Sequence, residues 1–206
     1  MRSITVFVAC ALAATITTVS RAAGPVAGNA SGPLAVTSAR ASLDGTTNIH
    51  PYTASTSTVK VVNIGVADTG GELFDRVLQP GGLTAFDVAI PVTSLTSPRE
   101  GVDKNMHKAL KAEQFADIRF RLKGIEPAAA GSYAAAGWLT VAGVEKPVTL
   151  NLQVRRTAAA LAVTGTTDLL MTDYGITPPK AMMGMLKTNP KVQITIQLVL
   201  GDGSLT

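Results

Sequence analysis

Residues 137–155, GWLTVAGVEKPVTLNLQVR, predict a β-hairpin. Two runs of alternating apolar residues, 138–141 and 148–154, flank a short connection that contains Gly143 and ends at Pro147. Gly143 adopts a positive φ at little cost, and Pro147, which lacks an N–H, suits the first residue of a strand. In the second arm one face is apolar (Val148, Leu150, Leu152, Val154) and the other polar (Thr149, Asn151, Gln153, Arg155). The apolar face covers either a packed core or a cavity for an apolar ligand.

Residues 1–22 have the features of a secretory signal peptide. Arg2 gives the N-terminus a positive charge, and residues 4–19 are mostly apolar. Ser20 and Ala22 are small residues at the two positions that a signal peptidase recognises. A transmembrane anchor is the alternative, but polar residues between 15 and 21 shorten the apolar run below a full span. We therefore expect export to the periplasm or the outside, with cleavage after Ala22 or Ala23.

The composition excludes several classes of function. The chain has 206 residues, and removal of the signal peptide leaves 16 of its 18 basic residues against 14 acidic ones, a net charge of +2. Few aromatic residues, no basic run and no stacking motif argue against nucleic acid as a partner. Cys10 lies inside the signal peptide, so the mature protein is expected to have no disulfide. No second apolar span follows, and we expect no stable membrane anchor.

The remaining patterns predict one all-β domain at residues 38–200, after a flexible leader at 23–37 and before a polar tail at 201–206. About eight strands at regular spacing indicate an antiparallel barrel or a sandwich, which periodicity cannot separate. The predicted strands are 38–43, 59–66, 86–90, 117–126, 138–141, 148–154, 160–171 and 192–200. Residues 73–78 fit either a short strand or an irregular crossing.

Residues 102–111 predict one short amphipathic helix on the surface of this β domain. Its apolar residues recur at helical spacing, with charged residues opposite. His107 lies on the polar side of this helix, where we expect a solvated side chain.

Alternation selects ten apolar residues that should point into the interior. They are Phe86, Val88, Ile90, Phe120, Leu122, Leu150, Leu152, Ile194, Ile196 and Leu198. One interpretation is simple core packing. The other is the wall of a tunnel, in which each buried CH₂ of a lipid chain would contribute about 0.8 kcal/mol. Trp138 alternates with Leu139, and the pattern does not show which of the two faces inward.

Four segments resemble the YceI-like family. They are 45–52 (GTTNIHPY), 106–120 (MHKALKAEQFADIRF), 137–148 (GWLTVAGVEKPV) and 173–179 (DYGITPP) with Met183-Gly184 and Leu186-Lys187 beyond. Pro51-Tyr52 and Ala116-Asp117 depart from the residues more usual there. The resemblance implies a lipocalin-like antiparallel β-barrel, exported to the periplasm, whose interior binds a long isoprenoid or similar amphiphile.

The loop at residues 177–190 is the predicted mouth of such a barrel. Met182, Met183 and Met185 lie close together in sequence, and flexible, polarizable methionines suit a variable apolar partner. The alternative is that they plug one end of the barrel. Lys187, with Lys180 and Lys191, fits either an anionic head group or plain solvation.

No pattern predicts catalysis, a metal site or a cofactor. The mature chain has two histidines, His50 and His107, without a cysteine or a patterned acidic cluster. A hydrolase that uses His50 with Asp168 or Asp173 would need those side chains to converge. His50 fits a structural hydrogen bond or a functional contact.

Two hypotheses follow: a periplasmic binding protein that carries an isoprenoid lipid, and a secreted structural or interaction module with a filled core. The second predicts no cavity, and Leu150→Trp should then destabilise the protein by overpacking, by about 1 to 3 kcal/mol.

Overall fold

Ten β-strands and two α-helices make up the part of the chain that the computed structural model describes, which is residues 34–129, 131–181, 183 and 185–203. The strands are β1 (Leu34–Thr47), β2 (Pro51–Thr56), β3 (Lys60–Val66), β4 (Leu83–Pro91), β5 (Asp117–Pro127), β6 (Ser132–Val141), β7 (Val144–Arg156), β8 (Ala160–Leu170), β9 (Lys180–Ala181) and β10 (Leu186–Asp202). The helices are α1 (Leu73–Leu78) and α2 (Glu100–Ala109). Neither helix is long and apolar enough to cross a membrane. The predicted signal peptide lies outside the described residues.

Nine of these strands form one strongly curled antiparallel sheet, a half-barrel, in the order β2-β1-β10-β8-β7-β6-β5-β4-β3. The two-residue β9 pairs with β10 alone. The predicted all-β antiparallel fold is therefore confirmed, as are the helix near 102–111 and the hairpin, which is β6 and β7. The hairpin turns at Ala142 and Gly143, both of which have a positive φ.

Several predicted boundaries were wrong. The first strand begins at Leu34, so residues 34–37 belong to the sheet and not to the leader, and β10 continues to Asp202, into the predicted tail. Residues 73–78 form α1, because Phe74 and Val77 lie three residues apart and bury one helical face. Strand β2 was not predicted, since its residues alternate between small and polar types and carry no apolar stripe.

The curled sheet has two differently closed ends. At the α1 end, the start of β1 pairs with the end of β10, and α1 packs into a cluster that includes Leu34 and Leu161, both 0% exposed. At the α2 end, a second cluster holds Leu110, Tyr174 and Ile176 under α2 and the 3₁₀ turn at Met171–Tyr174. Each end thus has its own packed core, and the space between them is enclosed by the strands.

The free edge of β2 is covered by the segment that leads into α2. Ser55 and Thr96 exchange two backbone hydrogen bonds, of 2.8 and 3.1 Å, and the Thr56 hydroxyl donates to Ser94 Oγ at 2.9 Å. This contact satisfies backbone groups that an edge strand otherwise leaves open. It also brings the N-terminal end of α2 close to β2.

Candidate functional site

A cavity of about 300 Å³ lies inside the curled sheet, and we call it the channel. It is lined by residues of β1, β2, β4 to β10 and both helices. On β10 the lining extends from Leu186 to Leu200, and its regularly alternating part, Val192 to Leu200, is about 27 Å long at a rise of about 3.4 Å per residue. A volume of this size over that length describes a narrow passage for one extended chain. The filled-core hypothesis predicts no cavity, and the structure contains one.

All ten residues predicted to point inward line the channel. They are Phe86, Val88, Ile90, Phe120, Leu122, Leu150, Leu152, Ile194, Ile196 and Leu198. The period of two explains the agreement, because every second side chain of a strand faces the concave side of the sheet. Their contact with a ligand stays a prediction.

Trp138 points away from the channel, and Leu139 points into it. Trp138 is 38% exposed, whereas Leu139 lines the channel and is paired with Phe120 across β5 and β6. The hairpin therefore contributes its aliphatic residues to the wall and its tryptophan to the outer surface.

Two glycines at inward-facing positions give the wall side chains room, and sequence reasoning missed both. A Cβ at Gly165 would lie 2.8 Å from Leu152 Cδ2 and 2.9 Å from Ile196 Cγ2. A Cβ at Gly137 would lie 2.6 Å from the Phe120 ring. These side chains lie flat against the backbone of the neighbouring strand, which keeps the channel open. The available signal was a glycine in the inward register of an apolar alternation.

The channel is closed at the α1 end and reaches the surface at the α2 end. Near α1 its lining includes Val77 and Leu161, which are 2% and 0% exposed. Three of its lining residues are exposed, namely Asn105, Leu170 and Lys180, and all three lie at the α2 end. His50, Asn105 and Lys180 bring polar groups to this opening.

His50 joins the loop between β1 and β2 to the segment before α2, beside the opening. Arg99 Nη1 lies 3.1 Å from His50 Nε2, and since an arginine can only donate, Nε2 accepts. The proton is then on Nδ1, which donates to the Pro51 carbonyl at 3.2 Å. His50 therefore makes structural hydrogen bonds and also lines the channel.

His107 is not the solvated residue that its place on the helix predicted. It is half-buried, and its Nε2 donates to the Leu95 carbonyl at 2.8 Å. This bond links α2 to the loop that precedes it. The helical pattern alone could not show that this loop packs against the polar side of the helix.

The predicted mouth residues lie outside the channel lining. Met183 is 103% exposed and Met185 67% exposed, so neither plugs the barrel, and Lys187 faces Lys180 across the β9–β10 pair. Met182 falls outside the described residues. Of the lysines in this loop, Lys180 lines the channel.

The residues considered for hydrolysis do not converge. Asp168 accepts from Lys191 Nζ at 2.8 Å and from Gln193 at 3.4 Å, and the Lys191 hydrogen bond lowers the pKa of this carboxyl. His50 bonds instead to Arg99 and Pro51, and Asp173 is exposed in the 3₁₀ turn. Within the described ranges, no group of three or more histidine, cysteine or acidic residues is placed to hold a metal ion.

A half-buried phenol, Tyr52, and a buried one, Tyr174, lie at the α2 end. Burial raises the pKa of Tyr52, whose ring lies against Gly45 on β1. Burial, and secondarily the charge of Asp173, raises the pKa of Tyr174 to about 12. Tyr174 is 3% exposed, so its ionisation requires opening of the cluster beneath α2.

We expect Tyr174→Phe to reduce the loss of stability in alkali. The unfolded phenol ionises near pH 10, whereas the folded one stays neutral until about pH 12, so the stabilisation is complete below pH 10 and is lost as the pH rises from 10 to 12. Between pH 9 and pH 11 the wild type should lose about 1 kcal/mol more than the variant. Urea unfolding at each pH measures this difference. Parallel curves for the two proteins would show that Tyr174 ionises freely in the folded state.

A curled antiparallel sheet around an apolar channel, open at one end, defines a barrel-like protein with a ligand-sized interior. The chain belongs to the YceI-like family, because the model of the YceI-like domain matches residues 34–200. No curated protein matches the sequence significantly.

Solved structures share the fold at low sequence identity. BcnA of Burkholderia cenocepacia superimposes with a TM-score of 0.64 at 16% identity, covering 78% of this chain and 95% of BcnA. A polyisoprenoid binding domain from Saccharophagus degradans gives 0.58 at 13% identity, covering 82% and 98%. The YceI protein of Campylobacter jejuni gives 0.54 at 16% identity, covering 70% and 81%. At these identities the comparisons show the fold.

Proposed function

We propose that this protein is a periplasmic carrier that binds one isoprenoid or similar amphiphilic lipid, without a catalytic step. The chain of the lipid occupies the channel, and its head group lies at the α2 end. The observation that carries the proposal is the channel itself, which is lined mainly by apolar residues along the strands and reaches the surface at the α2 end.

The energetics favour recognition by chain length. Each CH₂ moved from water into the channel contributes about 0.8 kcal/mol, so ten of them contribute about 8 kcal/mol before the cost of association is subtracted. Aliphatic walls offer no directional contact that distinguishes one chain from another of equal width. Affinity should therefore rise with chain length until the chain reaches the closed α1 end.

The family supports the kind of ligand. The relative from Saccharophagus degradans is described as a polyisoprenoid binding domain, and it shares this fold over 82% of the chain. The predicted signal peptide at residues 1–22 supports the periplasm as the compartment. A soluble carrier there would shield an apolar chain from water between two membranes.

Titration of the mature protein with a series of prenols of increasing length tests the proposal. The expected result is saturable one-to-one binding whose affinity rises with length and then levels off. Isothermal calorimetry in a dilute detergent supplies the affinity and the stoichiometry. Absence of saturable binding at every length would contradict the proposed function.

A further inference from the structure

Large apolar side chains are exposed around the opening of the channel. Ile49 is 64% exposed, Met183 103% and Met185 67%, and Leu170, which lines the channel, is 43% exposed. Single exposed apolar residues are common on protein surfaces, but a group of them at the entrance of an apolar channel points to an interaction surface.

The exposed residues of two loops are held side by side. Asn48 Nδ2 donates to the Met185 carbonyl at 2.9 Å, and the Lys187 N–H donates to Asn48 Oδ1 at 2.8 Å. Ile49 follows Asn48 directly, so it lies next to the hairpin that β9 and β10 form. We call Lys180, Ala181, Met183 and residues 185–187, together with Ile49, the rim hairpin.

Two lysines flank the apolar tip of the rim hairpin on one face. Lys180 and Lys187 are register partners in the β9–β10 pair, so their side chains project on the same side. Like charges placed directly opposite each other are destabilising. Lys191 is paired with Asp168, whereas Lys180 and Lys187 take part in none of the ion pairs among the residues that the structure describes. An anion above this face would relieve their repulsion.

We propose that the rim hairpin docks on an anionic phospholipid bilayer, so that lipid passes between the membrane and the channel. Met183, Met185 and Ile49 enter the boundary between head groups and acyl chains, and Lys180 and Lys187 reach the phosphates. A second copy of the chain fits this surface less well, because a two-fold contact would bring four lysines together. The inference rests on the proposed function, since it gives the carrier its route of loading.

Vesicle flotation tests the docking surface. The mature protein should float with vesicles of phosphatidylcholine mixed with phosphatidylglycerol and not with phosphatidylcholine alone, and added salt should weaken the binding. Each lysine near an anionic surface is worth about fivefold in affinity, so Lys180→Gln with Lys187→Gln should weaken binding about 25-fold. The double variant Met183→Ser with Met185→Ser should also float less with the anionic vesicles than the wild type does.

Two variants distant from the opening serve as controls. Val62→Ser removes an apolar side chain that is 68% exposed on β3, and Lys123→Gln removes an exposed lysine of β5. Both should float like the wild type. Equal losses in the controls, equal binding to neutral vesicles, or self-association of the chain through the rim hairpin in sedimentation would overturn the proposal.

The prenol titration without vesicles separates this proposal from the proposed function. Wild-type protein that binds prenols but floats with neither kind of vesicle would overturn the docking surface alone. Protein that floats with anionic vesicles but binds no prenol would support the docking surface and contradict the carrier function.

Discussion

Gly165→Val is expected to weaken binding of long prenols roughly 1,000-fold, while short prenols bind as they do to the wild type. Gly165 lies midway along β8, and Leu152 and Ile196 rest where its side chain would be. A valine pushes these two side chains into the channel and closes it at half its length. Loss of about five CH₂ contacts corresponds to about 4 kcal/mol, or roughly 1,000-fold in affinity for a chain that fills the channel. The prenol titration should show affinity levelling off at a shorter length.

The matched control places a valine on the same strand but on the outer face. Ala162 is exposed on β8, so Ala162→Val should bind every prenol like the wild type. Gly165→Val will cost some stability, about 1 to 3 kcal/mol from overpacking, and circular dichroism should confirm that it remains folded. A folded Gly165→Val protein that binds long prenols with wild-type affinity would show that the chain does not run through the channel.

Leu161→Ala should cause a large loss of stability at the α1 end. Leu161 is 0% exposed and belongs to the cluster that closes this end of the channel. Removal of a buried leucine side chain costs about 2 to 5 kcal/mol, because transfer energy is lost and a cavity remains. Urea unfolding followed by circular dichroism measures the free energy.

Leu170→Ala makes the same chemical change at the other end of the same strand. Leu170 is 43% exposed, so its truncation should cost less than about 1 kcal/mol. If both variants lost similar amounts of unfolding free energy, the α1 end would not be better packed than the α2 end.

The wall of the channel could be predicted from the sequence because its signal is local. In β10 the residues Ile194, Ile196 and Leu198 alternate with polar ones, and this period places them on the concave face without knowledge of the partner strands. The pattern could not show that the interior is open. That depends on Gly137 and Gly165, whose effect comes from side chains on neighbouring strands.

The opening could not be predicted, since it is built from distant parts of the chain. His50, Asn105 and Lys180 meet there only because the β1–β2 loop, α2 and β9 come together in the folded protein. The methionine loop was predicted as the mouth from composition alone. The structure places Met183 and Met185 at the same end of the barrel, but on its outside.

Native mass spectrometry of the protein purified from the periplasm of an expressing bacterium tests the central claim most directly. The claim is that the channel holds one lipid chain. The predicted result is a population whose mass exceeds that of the polypeptide by one isoprenoid-type lipid, and Gly165→Val should lack this population. Uniformly ligand-free wild-type protein that also takes up no added prenol would contradict the claim.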